Sequence, residues 1–267
     1  EISACLVGSE MCIRDRFSPL KKNRPAINGD LVLFDYEGKI NNKKFKNGSG
    51  QDETVVLGSN KYIPGYEEQM VGLSVGDKKE IKVAFLSPDF FKDHSITYFI
   101  KNLLKDLKKT KFETHGISLL KDKEHDDTTE KLKILFDNWV VVGDKTDQEI
   151  VDIIQKLNID ILIDLGGLWS ASRINIFNTR MCPLQISWLG FNNSTGLKEI
   201  DFILADVNTV KEEEKYYGTK IYKFPKIWNS HCGIKNKRYF NELPLKKNGH
   251  FTFGSLNNFL KISDEVL

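Results

Sequence analysis

A chain of 267 residues with 40% hydrophobic and 28% charged content is long enough for two ordinary domains, with a core burying roughly 70% of the unfolded surface. Its formal net charge is +2, with both signs mixed along the chain, which excludes the basic face of a nucleic-acid binder. The cysteines Cys5, Cys12, Cys182 and Cys232 show neither CxxC nor Cys/His metal spacing, and no window approaches the roughly 18 apolar residues of a membrane helix. Reduced thiols, no metal and a soluble, cytoplasmic product are therefore expected.

The opening stretch EISACLVGSEMCIRDR, Glu1 to Arg16, begins without a start Met and holds no sustained helix or strand period. Arg14, Asp15 and Arg16 stand where a signal peptide needs apolar residues. The stretch resembles translated adaptor sequence and reads equally as an ordinary disordered tail, so residues 1–25 are assigned to neither domain.

DLVLFDY, Asp30 to Tyr36, is rich in strand formers, and Gly38 with Asn41 and Asn42 marks a turn into a second short strand at KKF. In NKYIPGYEEQM, Pro64 suits the first position of a short helix, where its missing N–H costs nothing. LSVGDKKEIKV then supplies a glycine turn and a further strand.

From Lys82 the pattern changes. The apolar runs KVAFLS, KFETHGISLL, WVVVG, IDILIDLGG, LQISWLG, DFILAD and KIYKFP alternate with amphipathic stretches that predict helices near Thr97–Leu107, Thr128–Asp137 and Asp147–Leu157. Such alternation is the signature of a parallel α/β sheet wrapped by helices, a Rossmann-like layer. The loops SPDFFKDHS, DLGGLWSAS and GFNNSTG follow strands and should gather on the rim at the strands' carboxyl ends, where such sheets bind ligands. DLGGLWS matches neither a dinucleotide fingerprint nor a P-loop, so the residues alone indicate a ligand cleft and no more.

Two resemblances sharpen this reading. Ala26 to Val83, AINGDLVLFDYEGKINNKKFKNGSGQDETVVLGSNKYIPGYEEQMVGLSVGDKKEIKV, resembles the FKBP-type prolyl-isomerase domain of trigger factor, an α+β fold. The resemblance implies a proline pocket lined by Tyr36, Phe45, Ile63 and Tyr66, with Tyr66 as its floor, that lowers the roughly 20 kcal/mol barrier of an X-Pro bond by desolvation and twisting. Read without it, the same aromatics suit plain core. The flap and closing strand that the family places next are not recognisable after Val83, which implies a partial module with negligible isomerase activity.

From Lys82 to Leu267 the strings SPDFFKDH, RINIFNTRMCPLQISWLGFNNSTG and FTFGSLNNFLKIS resemble the catalytic region of bacterial O-GlcNAc transferases related to SPINDLY. That family has a GT-B architecture, two Rossmann-like halves around a cleft, and transfers N-acetylglucosamine from UDP-GlcNAc to Ser or Thr hydroxyls with inversion and without a metal or other cofactor. By resemblance His94 is the active-site histidine, a proton acceptor or positioning donor. Lys261 contacts the departing diphosphate, Asn257 and Asn258 lie against the nucleotide, and Thr195 and Gly196 border the cleft. On their own, His94 suits a helix start and Lys261 a solvated surface position. Relatives carry a second histidine where this sequence has Leu168, which puts a second imidazole in doubt. Trp188 and Leu189 read as support.

The expected layout is thus a tail over 1–25, a partial FKBP-like module over 26–83, the amino-terminal Rossmann-like half over 82–249, and the start of a second, truncated half over 250–267. Both modules claim the strand near Lys79–Leu86, and one run of backbone N–H and C=O groups can hardly satisfy two sheets. The parallel sheet should keep it, since its central strand is buried on both faces. Three functions follow: a glycosyltransferase fragment with UDP-sugar and acceptor-protein partners; a prolyl-isomerase or chaperone fragment that takes proline-containing or unfolded peptides; or a composite reading frame with no native activity.

Overall fold

The computed structural model describes residues 24–40, 43–62, 66–91, 94–110, 112–168, 171–210, 216–233 and 242–254, excluding the side chains of 37–40 and 43–48. Residues up to Cys232 form one compact unit and those from Gly233 another. In the second, a short helix at Pro244–Asn248 starts on proline and ends at Gly249 with φ +73°, as a left-handed helix cap requires.

The first unit opens with a two-stranded antiparallel sheet, β1 (Leu31–Ile40) and β2 (Lys43–Val56). The register shifts between Phe34 and Tyr36 and again between Glu37 and Lys39, so β1 is bulged twice and bends. Tyr36 lies opposite Gly50, where an added Cβ would meet the Tyr36 ring at 2.5 Å; glycine is what lets the ring lie flat across β2. Backbone bonds from Ala26 N–H to Leu73 C=O, from Gly72 N–H to Ala26 C=O and from Leu57 N–H to Asp30 C=O close this region on itself.

Beyond it stands a seven-stranded parallel sheet. In chain order its elements are β3 (Lys82–Ser87), α1 (Ser95–Leu107), β4 (Glu113–Ser118), α2 (Asp127–Lys133), β5 (Asn138–Val141), α3 (Asp147–Lys156), β6 (Ile161–Asp164), β7 (Leu184–Ser187), β8 (Phe202–Asp206) and β9 (Lys220–Phe224). In space the strands run β5-β4-β3-β6-β7-β8-β9, as the alternating apolar runs predict. The contested strand belongs here: β3 is hydrogen-bonded on one side to β4 and on the other to β6.

Period-two burial explains that assignment. Val83 and Phe85 join one apolar layer with Ile96, Ile100 and Leu104 of α1, while Ala84 and Leu86 join the other with Ile150, Val151 and Ile154 of α3. A strand buried on both faces loses two layers if it leaves. The strand expected after the Val75–Gly76 turn is therefore not part of the amino-terminal sheet. Residues 77–81 carry no strand pairing there, and the Lys79 ammonium instead reaches the buried Asp160 carboxylate at 2.6 Å. That carboxylate also accepts Lys82 N–H at 2.8 Å.

Helix boundaries follow their caps. α1 starts two residues before Thr97 because His94 caps it, and α3 starts at Asp147 under a Thr146–Glu149 capping box. α2 ends at Lys133 rather than Asp137, since Asp137 is taken by β4: its carboxylate accepts Thr114 N–H at 2.8 Å and its N–H reaches Thr114 C=O at 3.1 Å. The short helix expected from Pro64 forms as a 3-10 turn at Glu68–Met70, Pro64 itself lying outside the described residues.

Candidate functional site

The strand order reverses direction of growth between β3 and β6, neighbours in space that are three strands apart in sequence. Loops leaving the carboxyl ends of two such strands diverge and open a crevice, the usual ligand position in this architecture. Here the two loops are SPDFFKDH after β3 and DLGGLWS after β6.

The described residues of the first loop are anchored by hydrogen bonds. Asp89 N–H donates to Ser87 Oγ at 2.9 Å, the Thr97 hydroxyl donates to Phe91 C=O at 2.9 Å, and the Thr129 hydroxyl donates to Phe90 C=O at 2.7 Å. His94 ends the loop as the α1 cap, its Nδ1 accepting Ile96 N–H at 3.4 Å. Its Nε2 faces the Asp89 carboxylate at 3.7 Å, and the Phe91 ring lies 5.2 Å from the imidazole. Asp89 is 6% exposed; burial raises its carboxyl above the ordinary range, with His94 pulling the other way.

The second loop turns on Asp164, whose two carboxylate oxygens accept Gly166 N–H at 3.0 Å and Gly167 N–H at 2.8 Å. Burial pushes this carboxyl up to about 6 against those two bonds, and the Asp89 charge adds to the rise. Two acids with raised pKa values at a topological switch point are the pattern expected of a working crevice. Beside Asp164 in register, Ser187 at the end of β7 has a buried Oγ without a hydrogen-bond partner. Gly190, in the β7 loop, presses on the β6 loop so closely that a Cβ would lie 2.0 Å from Leu165 C=O.

Of the residues singled out in the sequence, His94 lies at the end of the β3 loop, beside the β3–β6 switch point. Thr195 and Gly196 occupy the loop after β7, where Thr195 Oγ1 accepts Leu197 N–H at 3.4 Å and Ser194 Oγ accepts Gly196 N–H at 3.2 Å; these bonds close the loop on itself rather than reaching His94. Trp188 is buried and donates from Nε1 to Trp228 C=O at 2.9 Å, which is support of β7. Leu168 is half exposed on the rim. Asn257, Asn258 and Lys261 lie outside the described residues. Asp89 and Asp164 were missed in the sequence, although a carboxylate at the end of an apolar strand, followed by two glycines, was the available signal for Asp164.

In the amino-terminal region Tyr36 and Tyr66 are joined by Phe34 and Tyr62, which the sequence reading did not single out. Phe34 lies 6.3 Å from Tyr36 and 6.0 Å from Tyr66, and Tyr62 lies 5.1 Å from Tyr66, centroid to centroid. The Tyr62 hydroxyl donates to Glu53 at 3.3 Å, and burial pushes the Tyr66 phenol up to about 12. Beneath them Glu67, 3% exposed, accepts Lys61 N–H at 2.7 Å and Asn60 and Tyr62 N–H at 3.1 Å each. Burial raises the Glu67 carboxyl, yet these donors outweigh it and the net displacement is downward. The Phe45 side chain and all of Ile63 lie outside the described residues.

Among the described residues no cluster of His, Cys, Asp and Glu is arranged to hold a metal, and no helix is long and apolar enough to cross a membrane.

Comparison with known proteins finds two kinds of relative. Residues 22–90 match the family of FKBP-type peptidyl-prolyl cis-trans isomerases. Trigger factor of Caldicellulosiruptor bescii is 32% identical over 61% of this chain and 37% of its own length, and that of Sulfurimonas denitrificans 47% identical over 26% and 16%. The SPINDLY protein of Arabidopsis thaliana, described as a probable UDP-N-acetylglucosamine–peptide N-acetylglucosaminyltransferase, is 27% identical over 71% of this chain and 21% of its own length. A Thermobaculum terrenum O-GlcNAc transferase mutant shares the fold, with a TM-score of 0.53 and 24% identity over 57% of this chain and 29% of that one. The chain therefore spans between about a sixth and just over a third of the length of these relatives. The chain is thus similar over residues 22–90 to FKBP-type isomerases, similar elsewhere in sequence to SPINDLY, and similar in fold to an O-GlcNAc transferase.

Proposed function

We propose that the region from Lys82 onward is the sugar-transfer part of a cytoplasmic, inverting glycosyltransferase that moves N-acetylglucosamine from UDP-GlcNAc to Ser or Thr hydroxyls of proteins. The observation that carries the reading is the position of His94 at the β3–β6 switch point, within the string SPDFFKDH on which the resemblance rests. In-line transfer needs an acceptor hydroxyl aimed at the anomeric carbon and groups that hold it and its proton. His94 and Asp89 supply such groups on one side of the crevice; Asn257, Asn258 and Lys261 would supply nucleotide and diphosphate contacts. Thr195 and Gly196 would border the acceptor side. Calorimetric titration of the full chain with UDP tests this: saturable binding that competes with UDP-GlcNAc is expected, and absence of heat at millimolar UDP would defeat it.

A second reading is favoured by the aromatic cluster of Phe34, Tyr36, Tyr62 and Tyr66, which suits a proline ring. On that reading the amino-terminal region binds proline-containing or unfolded peptides. A proline peptide that quenches or shifts the tyrosine fluorescence supports it; no change at millimolar peptide removes it.

A further inference from the structure

After Asp164 the chain passes through the Gly166–Gly167 turn and reaches Arg173, whose backbone stands in the left-handed region at φ 52° and ψ 37°. Glycine takes that conformation freely and a residue with a Cβ does not. What arginine supplies there is its side chain. Its Nε donates to the Asp147 carboxylate at 2.6 Å, its Nη2 contacts the same carboxylate oxygen, and its Nη1 donates to Lys145 C=O at 3.1 Å. A planar guanidinium used on two sides is fixed in direction as well as in charge. The element it grips is well anchored: Asp147 opens α3 under the Thr146–Glu149 capping box, and Ile150, Val151 and Ile154 bury that helix in an apolar layer.

The residue before Arg173 transmits this grip to the crevice. Ser172 is fully buried and donates its hydroxyl to Gly167 C=O. A Cβ on Gly166 would lie 2.5 Å from Ser172 Cβ and 3.3 Å from Pro88 Cδ, and one on Gly167 would lie 2.2 Å from Phe191 Cβ. Only glycine fits among these neighbours. Pro88 belongs to the loop after β3 that leads to His94, so at Gly166 the two loops of the crevice close on each other.

We propose that Arg173 is a positioning residue: clamped on Asp147 and Lys145 C=O, it presses Ser172 against the Gly166–Gly167 turn and so sets the gap between the β6 loop and the β3 loop. Its functional meaning, a crevice pre-shaped for the sugar donor, rests on the transfer reading; the clamp itself does not. The competing explanation is that the turn holds itself, through the bonds from Gly166 and Gly167 N–H to Asp164. Those bonds fix the turn to β6, but they do not place Ser172 behind it. The left-handed arginine is what a clamp predicts, since a loop shaped by its backbone alone has no use for a strained side-chain carrier at that position.

The test uses the full chain as parent and with Arg173→Gly, Asp147→Ala and the two together, each read by thermal unfolding, by amide exchange at Gly166 and Gly167, and by calorimetric titration with UDP-GlcNAc. Arg173→Gly accepts the left-handed backbone without strain, so its thermal midpoint should stay near the parent's. Exchange at the two glycines should nevertheless quicken by about tenfold in either single variant, and no further in the double, because both substitutions break one clamp. UDP-GlcNAc binding should weaken by about two- to tenfold as pre-organisation of the loop is lost. Arg173→Lys, which keeps the charge without the fork, should fall between parent and Arg173→Gly. Exchange in Arg173→Gly as slow as in the parent, single effects that add in the double variant, or UDP-GlcNAc binding undiminished by either substitution would each overturn the proposal. A parent chain that does not bind UDP-GlcNAc would remove the transfer reading, and glycine exchange would still decide the clamp, so the two failures are distinguishable.

Discussion

The two sheets of the first unit grow from the same kind of signal, an apolar run after a turn, and end in different physical situations. In the amino-terminal region Val55 and Leu57 are the fully buried apolar side chains among the described residues, and two strands alone are marginal in water. Order there comes from polar anchors and ring contacts, above all the Glu67 carboxylate beneath the Tyr62–Tyr66 pair. In the parallel sheet four consecutive residues of β3, Val83 to Leu86, are buried between two apolar layers. A strand that both regions could use therefore goes to the sheet that buries both of its faces, and the other region makes do with two strands.

Substitutions should separate the two regions. Phe85→Ala, in β3 at 1% exposure against Phe136, is expected to cost about 3–5 kcal/mol and to unfold the parallel sheet; chemical denaturation followed by tryptophan fluorescence measures it. Gly190→Ala should cost about 3 kcal/mol, because the 2.0 Å approach is to backbone rather than to a yielding side chain. Glu67→Ala should cost about 2–3 kcal/mol by stranding the donors of residues 60–62, and it should loosen the tyrosine signals while the parallel sheet's transition stays in place. Lys79→Ala should cost less than about 1 kcal/mol, since Lys79 is partly exposed and Asp160 keeps its Lys82 N–H bond.

Acidity should sharpen the same contrast. Glu67 is held below the usual carboxylate range, so its contribution is present above the unfolded value of about 4 and is lost as pH falls through its folded value. Asp164 is raised to about 6, so its charged form opposes folding above that pH, and this opposition fades as pH falls towards the unfolded value. Between about pH 7 and 5 the parallel sheet should therefore gain stability relative to an Asp164→Asn variant while the amino-terminal region holds. Further acid should weaken the amino-terminal region first. Thermal melts at stepped pH check both signs.

Much of this was legible in the sequence because it follows from local rules. The strand runs from KVAFLS to KIYKFP and the helices expected near Thr97 and Asp147 are, within two residues at their starts, where periodicity puts them. The end of α2 was not legible, because Asp137 is claimed by Thr114, a partner 23 residues away. Nor was the partner of β3, since a strand's sequence does not state which sheet pairs with it; burial on both faces decides. At the crevice His94 was visible through its string, whereas Asp89 and Asp164 become acids of interest only when β3 and β6 are seen side by side. Phe34 and Tyr62 escaped notice because a single aromatic in a strand or turn gives no hint of the ring it will meet.

The central claim is that β3 is the property of the parallel sheet, and amide hydrogen exchange on the intact chain tests it most directly. The account expects Val83 to Leu86 to exchange only with the slowest opening, together with Ile117 and Leu162, while β1 and β2 exchange earlier as a separate unit. Protection of Val83 to Leu86 that is lost together with that of β1 and β2, while Ile117 and Leu162 remain protected, would contradict it.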